Sequence, residues 1–336
     1  MVELMVALLL ASILAAGIGQ AFLVTGRSYR IHENLARLTE NGRHALGLLV
    51  ADLRRAGHLG TLRGRAAIVD RSAGGAANGY RTAIDYGYCM DIDWVRMLSH
   101  PVFGKDDHRR GYDCLPSEPV PVGDVLVTRY AAPLTATVQS STMTRAATHP
   151  DHLYLLTRPD SGVLVEGRHV VATPSGAVPD SLAQLIAHGY FIRPSTATGG
   201  CPPRRTIPAL YRLAQSGNRL VAREVARGIE QLQVQYGIDG DSDGSVDRFL
   251  DAMAAGHPAW QQVIAVRVWL LARAECPETG YDNTHHYALG NVMEHPATAD
   301  RDRDGVIDGD VDGDGNDDYR RRLLSATVTL RNPRDG

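Results

Sequence analysis

Carboxylates stand at positions 1, 3, 5 and 9 of the run Asp239-Gly240-Asp241-Ser242-Asp243-Gly244-Ser245-Val246-Asp247, with glycine at position 6. Alternate side chains of such a loop turn inward around a hard cation, and the glycine permits the sharp turn between them. That is the chemistry of a calcium loop. The pattern recurs in tandem, as Asp300, Asp302, Asp304 and Asp308 around Gly305 and as Asp310, Asp312, Asp314 and Asp318 around Gly315. Nine aspartates fall within residues 300 to 318, and without a cation they repel one another. Magnesium suits the set less well, because it keeps more water and takes fewer protein ligands. The bland alternative is an acidic, solvated loop that binds nothing.

The loops depart from an EF-hand in two ways. Position 12 is Leu250, Val311 or Arg321 rather than glutamate, so the bidentate ligand must come from elsewhere, and Asp251 is a candidate. Strand-like sequence rather than helix brackets the first loop. The tandem array is similar to thrombospondin type 3 and dockerin-type repeats. The expected calcium ligands are thus Asp239, Asp241, Asp243, Ser245, Asp247 and Asp251, together with the eight aspartates of the two later repeats.

No other motif suggests catalysis. A Gly-x-Ser-x-Gly elbow, a P-loop, a dinucleotide glycine fingerprint and a His-Glu-x-x-His helix are all absent, and an enzyme is not expected. His285 and His286 adjoin each other, but with no further ligand at a useful spacing they read as a surface feature rather than a transition-metal site. The net charge of -3 gives no general attraction to nucleic acid, and no basic and aromatic stripe is present. The four cysteines, Cys89, Cys114, Cys201 and Cys276, lack the close spacing of a zinc knuckle. Outside the cytoplasm disulfides are the default. Of three possible pairings, Cys89 with Cys114 and Cys201 with Cys276 is favoured, because the first closes a short loop.

The elements that must hold these loops read as strands. Residues 228–238, 261–272 and 322–331 alternate apolar and polar side chains or run nearly all apolar, and residues 208–213 and 219–225 suggest a hairpin. Shorter runs at 67–69, 124–130, 152–157 and 169–172 suggest further strands among long loops. The stretch 80–94, rich in Tyr and Asp, reads as a surface recognition loop or merely a stapled one.

The strands need a partner, and the N-terminus supplies it. Leu4 to Val24 contain only Ser12 and Gln20 as polar side chains, enough to cross a hydrocarbon layer that takes about 20 residues. From Arg27 onward charges appear, yet Ile31, Leu35, Leu38, Ala45, Leu46, Leu49 and Leu53 recur at helical steps. No proline interrupts residues 1–57. One near-continuous helix is expected, ending at Gly57 and Gly60, apolar all round in residues 1–25 and on one face in 26–57, ahead of a head of residues 58–336. Glu3 is an ionisable group at the edge of the apolar span, where a charge needs a countercharge. The fold class expected is α+β, with an antiparallel sheet laid against the amphipathic half of the helix.

The start Met1-Val2-Glu3-Leu4-Met5-Val6-Ala7-Leu8 resembles that of a mature type IV pilin. The runs 33–46, 52–57, 230–239 and 326–332 resemble the PilW-type minor pilins, so the likeness touches the beginning, middle and end of the chain. The resemblance implies a type IV pilin fold and a structural role: inner-membrane residence with the head in the periplasm, then assembly into a surface pilus. It implies partners along the helix, namely other minor pilins and the major pilin, a possible tip adhesin, and no nucleic acid. It gives Glu3 the role of pairing with the N-terminal amine of a neighbouring subunit. In the family the processing cut falls two positions upstream of the residue matching Met1, so a leader, the cleavage glycine and two mature residues are expected to precede the sequence as written. A type II secretion pseudopilin and a membrane-anchored, calcium-dependent adhesive module are the alternatives.

Overall fold

Helix α1 (Val2–Arg55) runs for 54 residues, about 81 Å at 1.5 Å per residue. Its two halves meet different surroundings in the computed structural model, which describes residues 2–62, 68–70, 72, 93–96, 98, 100–107, 122–133, 149–169, 181–198, 206–254, 257–278, 280–295 and 317–331. Residues 2–22 and 24–30 are exposed, and this apolar half is long enough to cross a membrane. In the second half Leu38, Gly42, Ala45, Leu49 and Leu53 are buried at steps of three and four, as one apolar face demands. Gly57 and Gly60 follow at φ 78 and φ 75, a left-handed stop that glycine adopts at little cost.

Eight strands form the larger sheet: β1 (Ile68–Asp70), β2 (Val102–Lys105), β3 (Val122–Pro133), β4 (Leu153–Thr157), β5 (Gly162–Glu166), β6 (Ser181–Thr198), β7 (Thr206–Ser216) and β8 (Arg219–Arg227). The order is β1-β5-β4-β6-β3-β2, with β7 on β6 and β8 on β7. Among the described strands, β1 and β5 are the one parallel pair. Strand β6 is the organiser, because β3 takes one of its edges while β4 and β7 share the other in succession. A one-turn helix, α2 (Asp93–Arg96), buries Trp94 over Gly189 of β6, where an added Cβ would lie 3.3 Å from the indole.

The smaller sheet contains β9 (Ile229–Ile238), β10 (Arg248–Leu250), β11 (Val263–Arg273) and β14 (Arg321–Thr329) in the order β10-β9-β11-β14. A separate hairpin joins β12 (Tyr287–Leu289) to β13 (Val292–Glu294). The helix packs chiefly on β14 and β11. It lies close to the sheet at Gly42, where a Cβ would sit 2.8 Å from Leu324 Cδ1 and 3.3 Å from Ala272 Cβ. One continuous core unites the helix stripe with both sheets, including Leu49, Leu53, Leu126, Tyr190, Leu232 and Val268.

The architecture is α+β and mostly antiparallel, as the sequence indicates. Strands β3, β4, β7, β8, β9, β11 and β14 coincide with runs expected to be extended. Two further runs are described only in part. The run 169–172 begins in a 3-10 turn, Gly167–His169, and its remaining residues lie outside those described. Trp94, read within a surface loop, is 1% exposed; the remainder of that loop is also outside the described residues.

Candidate functional site

The first aspartate loop connects β9 to β10, whose end residues Ile238 and Arg248 are paired in register. Its two ends are therefore held about one strand spacing apart. Asp239 anchors it: the residue is 7% exposed, and its amide donates to the Gln262 carbonyl at 3.0 Å. Its two carboxylate oxygens accept the amides of Asp243 and Gly244, each at 3.1 Å. The Asp247 carboxylate accepts the Gly240 amide at 2.7 Å. Gly244 takes φ 88 at the middle of the loop, as position 6 requires.

These contacts bring ligand oxygens of Asp239, Asp241 and Asp247 within 4.8 Å of one another. Three anionic oxygens on one small loop suit a hard divalent cation. Asp243 is not among the three; its carboxylate accepts the Ser245 amide at 2.7 Å. Asp251 follows β10, and its carboxylate accepts the Gln235 amide nitrogen at 2.9 Å.

Of the later repeats, Asp300, Asp302, Asp304, Asp308, Asp310, Asp312 and Asp314 lie outside the described residues. Asp318 is 1% exposed, and its carbonyl accepts the Glu278 amide at 2.9 Å. Its neighbour Asp317 belongs to a buried ionic cluster. Arg321, with a side chain 2% exposed, grips Asp317 on one side and Glu230 on the other, the latter at 2.5 and 3.1 Å. Burial works against the guanidinium, but the two carboxylates outweigh it and raise its pKa. This clamp ties the end of the aspartate array to β9 and β14.

Two buried carboxylates escaped sequence reasoning as functional groups. Asp52 projects from the buried face of α1, where its Oδ2 meets His188 Nδ1 at 2.5 Å and accepts the Tyr190 hydroxyl at 2.7 Å, while Oδ1 accepts the Tyr130 hydroxyl at 3.0 Å. Burial pushes its carboxyl upward, but His188 and the two hydroxyls overcome this and leave the pKa lowered. The available signal was one acid in phase with Leu49, Leu53 and Ala56. Asp124 in β3 accepts the amides of Val234 at 2.7 Å and Asp107 at 3.0 Å, joining the two sheets. Burial dominates there, against those two amides and with help from Asp106 and Asp107, so its carboxyl is pushed up to about 8.

Glu3 stands in the first turn of α1, exposed like the apolar residues beside it. Cys276 is disulfide-bonded, and Cys89, Cys114 and Cys201 lie outside the described residues.

Residues 189–332 match the family model described as Type IV Pilus-assembly protein W. That segment, a little under half of the chain, is similar to the PilW-type proteins of the type IV pilus. No curated protein and no solved structure matches the chain. The PilW-type segment begins within β6 and reaches past β14, so it contains the first aspartate loop, the Glu230–Arg321 clamp and the hairpin of β12 and β13. Helix α1 precedes it. The family's description is one of pilus assembly, not of catalysis.

Proposed function

We propose that this chain is a PilW-type minor pilin that helps prime pilus assembly and joins a tip complex. The observation that carries the reading is the division of α1: an exposed apolar half continues without a break into a half buried against the head. An apolar rod fixed to a polar head suits residence in a bilayer followed by transfer into a bundle of like helices. The first half holds the chain in the inner membrane with the head in the periplasm, adopting the type IV pilin arrangement. It then packs among the helices of other minor pilins and the major pilin, where Glu3 pairs with a neighbour's N-terminal amine and sets axial register. The head presents its surface to partners, a tip adhesin among them.

Calcium rigidifies that surface. Asp239, Asp241 and Asp247 hold the ion in the first loop, with Asp243, Ser245 and Asp251 in the wider set. Asp300, Asp302, Asp304, Asp308, Asp310, Asp312, Asp314 and Asp318 serve the tandem repeats. Disulfides pairing Cys89 with Cys114 and Cys201 with Cys276 fix the intervening loops.

The test is a deletion strain complemented with the wild-type gene or with Glu3→Ala, scored for surface pili, twitching and secreted enzymes. The reading expects loss of pili, rescue by wild type and failure of rescue by the variant. Normal pili with lost secretion would overturn it in favour of a type II secretion pseudopilin. The convergent carboxylates of the first loop favour one second reading, a calcium-dependent adhesive module for which the helix is only an anchor. Normal pili, normal secretion and surface binding abolished by chelation are its outcome.

A further inference from the structure

Strands β12 and β13 are joined through Gly290 and Asn291, a two-residue turn with Gly290 at φ 61. The ladder pairs Leu289 with Val292, Ala288 with Met293 and Tyr287 with Glu294. One step further, His286 and His295 face each other. Antiparallel pairs alternate between hydrogen-bonded and non-hydrogen-bonded, and the second kind brings side chains closer. Counting from the pair that flanks the turn, His286 and His295 form one of the close pairs. Their rings lie 4.4 Å apart at 81°, with the two Nδ1 atoms directed at each other in hydrogen-bonding contact.

The hairpin is held against the smaller sheet. Tyr287 and Leu289 bury themselves against Leu271, with Trp269 and Leu323 packed alongside. The Tyr287 hydroxyl donates to Asn283, Glu294 accepts from Gln231, and Asn291 donates to Asp106. Anchors on both strands and at the turn hold the hairpin, and with it the two backbone positions that carry the exposed imidazoles.

Two Nδ1 atoms in hydrogen-bonding contact share one hydrogen, one ring donating it and the other accepting it. A borderline divalent ion can take the place of that hydrogen, which shifts through solvent to Nε2 of the donor ring, and accept a lone pair from each Nδ1 at the 2.0–2.1 Å typical of zinc–imidazole bonds once the rings part. We propose that His286 and His295 form a two-histidine site for a borderline divalent transition metal, zinc or copper, with water completing the coordination. Nitrogen ligands separate it from the carboxylate loops, which suit hard cations. Among the described residues His285 faces no second histidine; its ring lies 6.2 Å from that of Tyr287.

The test titrates zinc chloride alone into the full-length chain in detergent micelles, with saturating calcium present to occupy the carboxylate loops. One zinc site is expected. His286→Ala and His295→Ala should each weaken it by more than the roughly 10–100-fold that loss of an outer-shell partner costs, while His285→Ala leaves it unchanged. To guard against misfolded variants, cupric ion is added to the wild-type chain and its electron paramagnetic resonance spectrum recorded. Coupling to two imidazole nitrogens supports the site. Oxygen-only ligation, no zinc binding by wild type, or binding unchanged in the double variant overturns it.

Discussion

Asp52 on α1 and His188 on β6 meet at 2.5 Å, and this pair is the polar pin between the long helix and the strand that organises the larger sheet. The acid sits in the buried stripe, 5% exposed, with Tyr130 and Tyr190 completing its hydrogen bonds. Asp52→Ala leaves a partly buried imidazole and two buried hydroxyls without their acceptor. A loss on the order of 3 kcal/mol is expected from breaking such a cluster, read as a lower urea midpoint.

The same cluster carries a pH signature. Because the folded-state pKa of Asp52 is lowered, its contribution is complete above the unfolded value of about 4 and is lost as pH falls through the folded value. Urea midpoints of the wild type should therefore drop below about pH 4, and Asp52→Asn should drop less steeply over that range. Parallel acid limbs for the two proteins would sink the assignment.

Asp124 has the opposite sign. Its folded pKa, raised to about 8, means that the folded chain retains a proton which the unfolded chain releases near pH 4. Stability from the neutral carboxyl is consequently lost as pH rises through that interval. Between pH 5 and pH 8.5 the wild-type Tm should fall by several degrees more than that of Asp124→Asn, since about 1 kcal/mol corresponds to about 2–4 °C in a domain of this size. Equal slopes would mean that Asp124 stays ionised throughout.

Gly42 tests how tightly the helix lies on the smaller sheet. A Cβ there meets the flexible end of Leu324 at 2.8 Å and Ala272 Cβ at 3.3 Å. For Gly42→Ala the helix gain of about 1 kcal/mol and the crowding oppose each other, so the change should be small. Gly42→Leu has no such room and should cost about 1–3 kcal/mol by overpacking. Tolerance of leucine in a thermal melt would show that the helix is not seated there.

Calcium removal tests the aspartate loops. An ion present at about 100 times its Kd stabilises the folded state by about 2.7 kcal/mol per site. Calcium should raise Tm, chelation should reverse the rise, and the pair Asp241→Asn with Asp247→Asn should remove part of it while leaving the calcium-free Tm nearly unchanged. An undiminished rise in that double variant would exclude the first loop.

Much of the fold is legible in linear order because its signals are local. The apolar stripe of α1 repeats at helical period, and β9, β11 and β14 carry the patterns of half-buried or buried strands. Strand β6 was missed. Its eighteen residues include His188, Gly189 and Pro194, and it is extended because β3, β4 and β7 pair with it, a long-range cause that no window of sequence contains.

The same division holds for the sites. Spacing alone marks Asp239, Asp241, Asp243 and Asp247 as the carboxylates of one loop, because they are neighbours in sequence, and folding gathers oxygens of the first, second and fourth within 4.8 Å. Asp52 with His188, Glu230 with Arg321, and His286 with His295 are made by chain segments that only folding brings together. The sequence by itself determined the long two-part helix, the late strands and the acidic loops, because periodicity and local spacing are properties of contiguous residues. Tertiary structure alone decided which acid pins the helix, which arginine clamps the aspartate array and which two imidazoles face each other, because those depend on strand register and packing across the whole chain.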